Sequence, residues 1–258
     1  MNPCSKPSSR LPCLLVVLLQ ACSGIGITAD AGVARWVADG DVSLGPSSGA
    51  PVNLDNLLNN IGDVFGLDEG TETPYARVEL SAPVASFTFS GFTYDTNADG
   101  VLANNFGDLL RGANVSTDAE IANLKGAVHF DLLNLGMVRI SPGLGVDLLD
   151  LSIAANSSLG TEQVDALAPM PMLFVQGEVE IGPFDGVLDL GYFEANLPEA
   201  DGQFFDIEAI LRWRPLERME LFAGYRMILA DAKGDTVGQL FAADLQLSGW
   251  MAGIGFRL

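Results

Sequence analysis

Cysteine and histidine are almost missing from this 258-residue chain, which holds three Cys and one His. Cys4 and Cys13 lie in an N-terminal stretch that reads as removable, so Cys22 alone is kept. One Cys and one His build neither an intrachain disulfide nor a zinc site. Cations are scarce too, with 13 Lys+Arg against 33 Asp+Glu and a formal charge of −20. Phosphate backbones are bound by clustered cations, so the composition speaks against nucleic acid as a partner. Long apolar runs are the third absence: after residue 22 none approaches the ~20 residues that a spanning helix needs. Yet 48% of the residues are apolar, too many for disorder and unusual beside so large a charge. A transmembrane β-barrel reconciles these facts, because its strands are apolar on one face only.

The first residues read as an address. Lys6 and Arg10 precede a short apolar core, LPCLLVVLL at 11–19, followed by Gln20-Ala21-Cys22. A basic start, a short apolar stretch and a small residue at the break describe a secretory signal. Residues 1–21 are therefore expected to be signal peptide and 22–258 the barrel. Leu19-Gln20-Ala21-Cys22 also resembles the lipobox of bacterial lipoproteins, which implies lipid attachment at Cys22. Ordinary cleavage nearby, with an incidental cysteine, is the other reading.

From residue 26 onward period-2 alternation recurs and helical periodicity is nearly absent. Ala122, Leu124, Gly126, Val128 and Phe130 share one face; Asn123, Lys125, Ala127, His129 and Asp131 share the other. The pattern predicts an all-β fold, an antiparallel up-and-down barrel of about ten strands, with eight as the alternative. The expected strands are 26–40, 74–82, 84–97, 115–132, 137–154, 165–181, 184–196, 203–215, 219–232 and 238–258. Connections alternate between longer (41–73, 98–114, 155–164, 197–202, 233–237) and shorter ones, as expected for long outer loops and short periplasmic turns. Arg35 and Trp36 fit no single phase in the first strand, which suggests a bulge or an interfacial position.

Trp250, Ala252, Ile254, Phe256 and Leu258 share one face at the end of the chain. This resembles the C-terminal signature strand of bacterial outer-membrane proteins, which their assembly machinery reads. Gly224-Tyr225-Arg226 and the stretch FGLDEGTETPYARVEL at 65–80 are similar to small barrels of the OmpA/OmpW type. The resemblance covers residues 26–258 and implies the cell outer membrane of a Gram-negative-type bacterium. Outer-membrane lipid and the assembly machinery are the partners it implies.

Apolar residues on one strand face are expected to meet lipid. The other face carries Arg77, Glu79, Lys125, His129, Asp131, Arg139, Asp147, Glu178, Asp189, Asp206, Glu208, Arg212 and Arg226. Ten strands leave little free lumen, since eight are just filled by side chains. These charges are thus expected to pair into a network that plugs the barrel, with a narrow polar pathway as the alternative.

Three features invite chemistry. His129 raises the idea of an embedded hydrolase, but a base also needs a nucleophile or water and an orienting partner, and Asp131 is placed to pair with it. Asp95-Thr96-Asn97-Ala98-Asp99-Gly100 fits the start of a calcium loop, with Asp95, Asn97 and Asp99 as ligands, although Phe106 stands where the bidentate Glu belongs. A solvated turn is the other reading, so no cofactor is expected beyond that calcium. Finally, apolar residues near helical spacing suggest a short amphipathic helix at 53–66 that caps the mouth, rests on the membrane or meets a partner. The outer loops are acidic, with Asp55, Asp63, Asp68, Glu69, Glu72, Asp99 and Asp108. The function expected is a non-enzymatic barrel, structural or surface-exposed, with a narrow passive channel for small solutes or ions as the alternative.

Overall fold

A computed structural model describes residues 25–48, 52–65, 70–197, 200–236 and 239–258. The expected signal stretch and Cys22 lie outside these. The strands are β1 (Gly26–Leu44), β2 (Asn59–Asn60), β3 (Thr71–Ser81), β4 (Ser86–Val101), β5 (Asn114–His129) and β6 (Leu133–Asn134). Then follow β7 (Val138–Ser157), β8 (Gly160–Ile181), β9 (Phe184–Leu197), β10 (Ala200–Trp213), β11 (Met219–Thr236) and β12 (Gln239–Arg257). β2 and β6 are two-residue pairings on the flanks of β1 and β7. The other ten form the wall, each antiparallel to its neighbours. The wall closes where β12 meets β1, in a register running unbroken from Thr28↔Arg257 to Leu44↔Phe241. Closure gives each of the ten wall strands a partner on both sides through its periplasmic part, which is what lets backbone amides enter a membrane.

Alternation sets which side chains face out. On β5 Leu124 is 54% exposed while Lys125 is fully buried. Exposed apolar residues form an outer belt, with Phe87, Phe130, Phe184, Trp213 and Phe256 near the ends of their strands at the short-turn end. Such an arrangement is the interfacial aromatic girdle of an outer-membrane barrel. Gly26 and Leu258 lie at this same, periplasmic end, joined by backbone bonds between Ile27 and Leu258.

Three expectations are corrected. The strands reach further on the outer side: Ser157 pairs with Gly160, so the expected 155–164 loop is strand and tight turn. Strand one carries no bulge in its ladder. Trp36 simply points inward, fully buried and stacked on Phe92 with centroids 3.9 Å apart, and Arg35 points outward. The helix at 53–66 is instead one 3-10 turn, Leu54–Asn56, followed by β2. Asn53 caps that turn by accepting from the Asp55 amide, and Asn59 and Asn60 then bond to β1 rather than continuing a helix.

The apolar residues of that segment fill the outer mouth. Ile61, Val64 and Phe65 are buried against Leu102, Phe106 and Leu109 of the 102–113 connection, and the Phe65 and Phe106 rings meet edge to face at 5.3 Å. Asn104 fixes the two connections, donating its side-chain amide to the Leu58 carbonyl at 2.7 Å and its backbone N–H to Asn59 Oδ1 at 2.9 Å. Gly100 is needed here, because a Cβ would lie 1.7 Å from the Val64 carbonyl oxygen. The capping role foreseen for this segment thus holds with a different local structure.

Candidate functional site

The interior divides at mid-height. Toward the outer end it is apolar, with Trp36, Phe92, Tyr94, Ile121, Phe204, Ile228 and Leu247 buried together. Toward the periplasmic end it is ionic. Alternation on each strand delivers these groups: Tyr75, Arg77 and Glu79 from β3, Asn123 and Lys125 from β5, Asp185 and Asp189 from β9. β10 supplies Asp206, Glu208 and Arg212.

At the centre, three cations and four carboxylates interlock across the barrel. Arg77 spans from β3 to Asp189 and to Glu208, the latter at 3.2 Å. Lys125 contacts Asp206 at 2.9 Å and Glu208 at 2.5 Å. Arg226 holds Asp206 at 2.8 Å and Asp147 at 3.1 Å, and its guanidinium lies 5.5 Å from the Phe92 ring centre. Neutral donors complete the set. The Tyr75 hydroxyl donates to Glu208, Asn123 to Asp147, and Gln176 to Asp189. The three cations are at most 1% exposed. Isolated charges would be prohibitive there; multiple pairing makes them tolerable.

A second cluster lies nearer the periplasm. Arg212 meets Asp30 at 2.8 Å, Glu220 at 3.3 Å and Asp185 at 3.6 Å. Asp30, Gly255 and Glu220 form one row across three strands. Gly255 gives the two carboxylates room, since a Cβ there would lie 2.2 Å from an Asp30 oxygen. Partly exposed arginines rim the cluster: Arg257 on Asp185 at 3.3 Å, Arg139 on Glu178 at 3.2 Å and Arg214 on Glu180.

All thirteen interior residues expected from alternation lie on the inner side or its periplasmic mouth. The structure joins Arg77, Lys125, Asp147, Asp189, Asp206, Glu208 and Arg226 into one network, with Glu79 attached through Arg77 at 3.6 Å, and keeps Arg212 and the Arg139–Glu178 pair apart from it. Asp131 is exposed at the mouth, where it accepts from Ser141 at 2.9 Å rather than from His129. His129 is buried, with Thr88 at 3.1 Å from Nε2 and the Phe174 ring beside it. Asp30 was missed. The unresolved phase around Arg35 and Trp36 hid it, although counting back in steps of two from Trp36 reaches it.

The calcium reading meets a geometric obstacle. Asp95, Asn97 and Asp99 sit on β4, opposite Glu120, Asp118 and Ser116. On an extended strand alternate side chains point the same way but stand about 6.5–7 Å apart, so they do not converge as a calcium loop requires. Among the described residues no group of three or more acidic, Cys or His side chains is arranged to hold a metal.

Above the belt the outer wall is acidic. Asp41, Asp244 and Asp231 face one another directly on β1, β12 and β11. Asp244 lies thirteen residues above Arg257, about 33 Å up a strand tilted by about 40°, beyond a belt about 25 Å tall. Burial, then the charges of Asp231 and Asp41, raise its carboxyl above the ordinary range. A raised carboxyl favours the fold when protonated, and that contribution is lost as pH rises through its shifted value. Asp244→Asn is therefore expected to stabilise the barrel slightly at pH 7 and to do nothing below pH ~3. Urea midpoints at the two pH values test this, and equal midpoints at pH 7 would contradict it.

No protein-family model matches the chain, and no curated protein matches it in sequence. Among solved structures it is similar to the outer membrane protease OmpT from Escherichia coli, at 10% identity and a TM-score of 0.58, covering 92% of this chain and 99% of that one. Weaker likenesses include AlkL (11% identity, TM-score 0.36, covering 100% and 97%) and Ail of Yersinia pestis (10%, 0.34, covering 92% and 100%). At these identities the likeness shows the fold. The protein has the fold of an outer-membrane β-barrel.

Proposed function

We propose that the protein is a non-enzymatic structural or surface barrel whose lumen is closed. One observation carries this reading: Arg77, Lys125, Arg212 and Arg226 point into the lumen, yet each is at most 1% exposed. Charges that line a conducting path stay wetted, whereas these are dry and held by carboxylates. The apolar outer half and the two connections folded into its mouth close the other end. Burial of His129 and its place near the periplasmic end also speak against a hydrolytic site. The fold shared with a protease carries no catalytic residue into this chain.

Purified protein in a planar lipid bilayer tests the reading. It is expected to show no steps above the empty-bilayer baseline at 1 M salt. Regular steps in the wild-type protein would favour the narrow channel instead, and Arg226→Met should then alter them.

A further inference from the structure

The lipid-facing wall carries a diagonal apolar groove of about 780 Å³. It follows one hydrogen-bonded row of outward residues. Trp250 of β12 stands beside Tyr225 of β11, and Tyr225 beside Ala209 of β10. Ala209 then meets Leu188 of β9, Leu188 meets Gly177 of β8, and Gly177 meets Ile140 of β7. Ala209 and Gly177, with Gly186 in the row below, make the floor low. Five strand steps of about 4.8 Å give a length of about 24 Å, more than one leaflet of a hydrocarbon core about 30 Å thick.

The upper end of this row is distinctive. Beyond Trp250 it reaches Arg35 of β1, nine residues above Gly26 and thus about 23 Å up, at the outer border of the belt. Arg35 is exposed, lies against Gly70, and holds no carboxylate within ion-pair distance among the described residues. Its row continues to Glu72, and Asp95 and Glu120 pair on the next strands. Those carboxylates repel anions, whereas Arg35 attracts them. Trp250, 72% exposed, and Tyr225 form the end of the groove next to Arg35, with ring centroids 4.9 Å apart.

We propose that the groove holds one outer-leaflet lipid, with an acyl chain along the Ala209–Gly177 floor and an anionic phosphate on Arg35. A second outer groove, about 810 Å³ beside Gly91 and Ala122, reaches Asp150, and the one arginine of its lining, Arg77, is turned into the lumen and held there by Asp189 and Glu208. It serves as an internal contrast.

Native mass spectrometry of the detergent-solubilised protein tests this. Phosphatidic acid, and diacylglycerol of the same chains, would each be added at matched concentration. Wild type is expected to retain one phosphatidic acid in preference to diacylglycerol. Arg35→Ala should lower retention of the phosphate lipid about tenfold, the scale of one charge-assisted contact, and leave diacylglycerol unchanged. Gly177→Leu should remove both, since a side chain there enters open space over the floor, with only the Leu188 carbonyl oxygen near at 3.9 Å. Ala122→Leu, in the second groove, should change neither. Equal retention by wild type and Arg35→Ala would overturn the phosphate contact. Retention unaffected by Gly177→Leu would overturn the groove, as would a second copy of the chain in place of lipid.

Discussion

Glu208→Ala is expected to cost the folded barrel about 3–5 kcal/mol, the penalty for stranding buried charge. Glu208 is the acceptor shared by Lys125, Arg77 and the Tyr75 hydroxyl. Without it, Lys125 keeps Asp206 and Arg77 keeps Asp189, but the hydroxyl and one face of each cation lose their partner in a dry interior. Arg214→Ala removes a pair whose carboxylate, Glu180, is 38% exposed, so water replaces the partner and the loss stays below about 1 kcal/mol. Urea unfolding in detergent micelles measures both. Equal losses would mean that the centre of the lumen is wet.

The second large effect separates neighbours in sequence. Leu124→Lys should cost about 2–4 kcal/mol, because it puts a cation against lipid near mid-membrane. Leu124 lies five residues above the end of β5, about 13 Å up a belt of about 25 Å. The next residue is already a lysine and is stable there, because Lys125 faces the carboxylates of β10. A one-residue shift of register would exchange these environments along the whole strand. The gel temperature at which the SDS-resistant form is lost reads this out. No change for Leu124→Lys would contradict the assigned face.

Much of this was legible in the sequence because a barrel strand is a period-2 object. Runs such as Ala122–Phe130 declare their faces without any partner, so the ten wall strands and the inward charges could be read directly. Pairing was less legible. Alternation places Arg77 and Asp189 inside, but only closure of the wall brings β3 opposite β9 across the lumen. The outer strand ends were hidden by composition. Thr161, Glu162 and Gln163 read as loop because above the membrane neither face meets lipid and both are polar. The same effect disguised Asp95, Asn97 and Asp99, whose turn-forming residue types sit in a ladder with β5. Around 53–66, apolar spacing suggested a helix, while Asn53, Asn59 and Asn60 used their side chains and amides for a turn and a short pairing with β1.

Thiol accessibility reports whether the lumen is closed by its own charges. Ser90 faces inward, 2% exposed, with Lys125 directly opposite on β5 and Glu208 at 3.5 Å. A membrane-impermeant charged maleimide would be applied to folded Ser90→Cys protein, with unsubstituted protein as the background for Cys22. No labelling above background is expected until the barrel is heat-unfolded. Rapid labelling of the folded protein would show water at the centre of the lumen and contradict its closure.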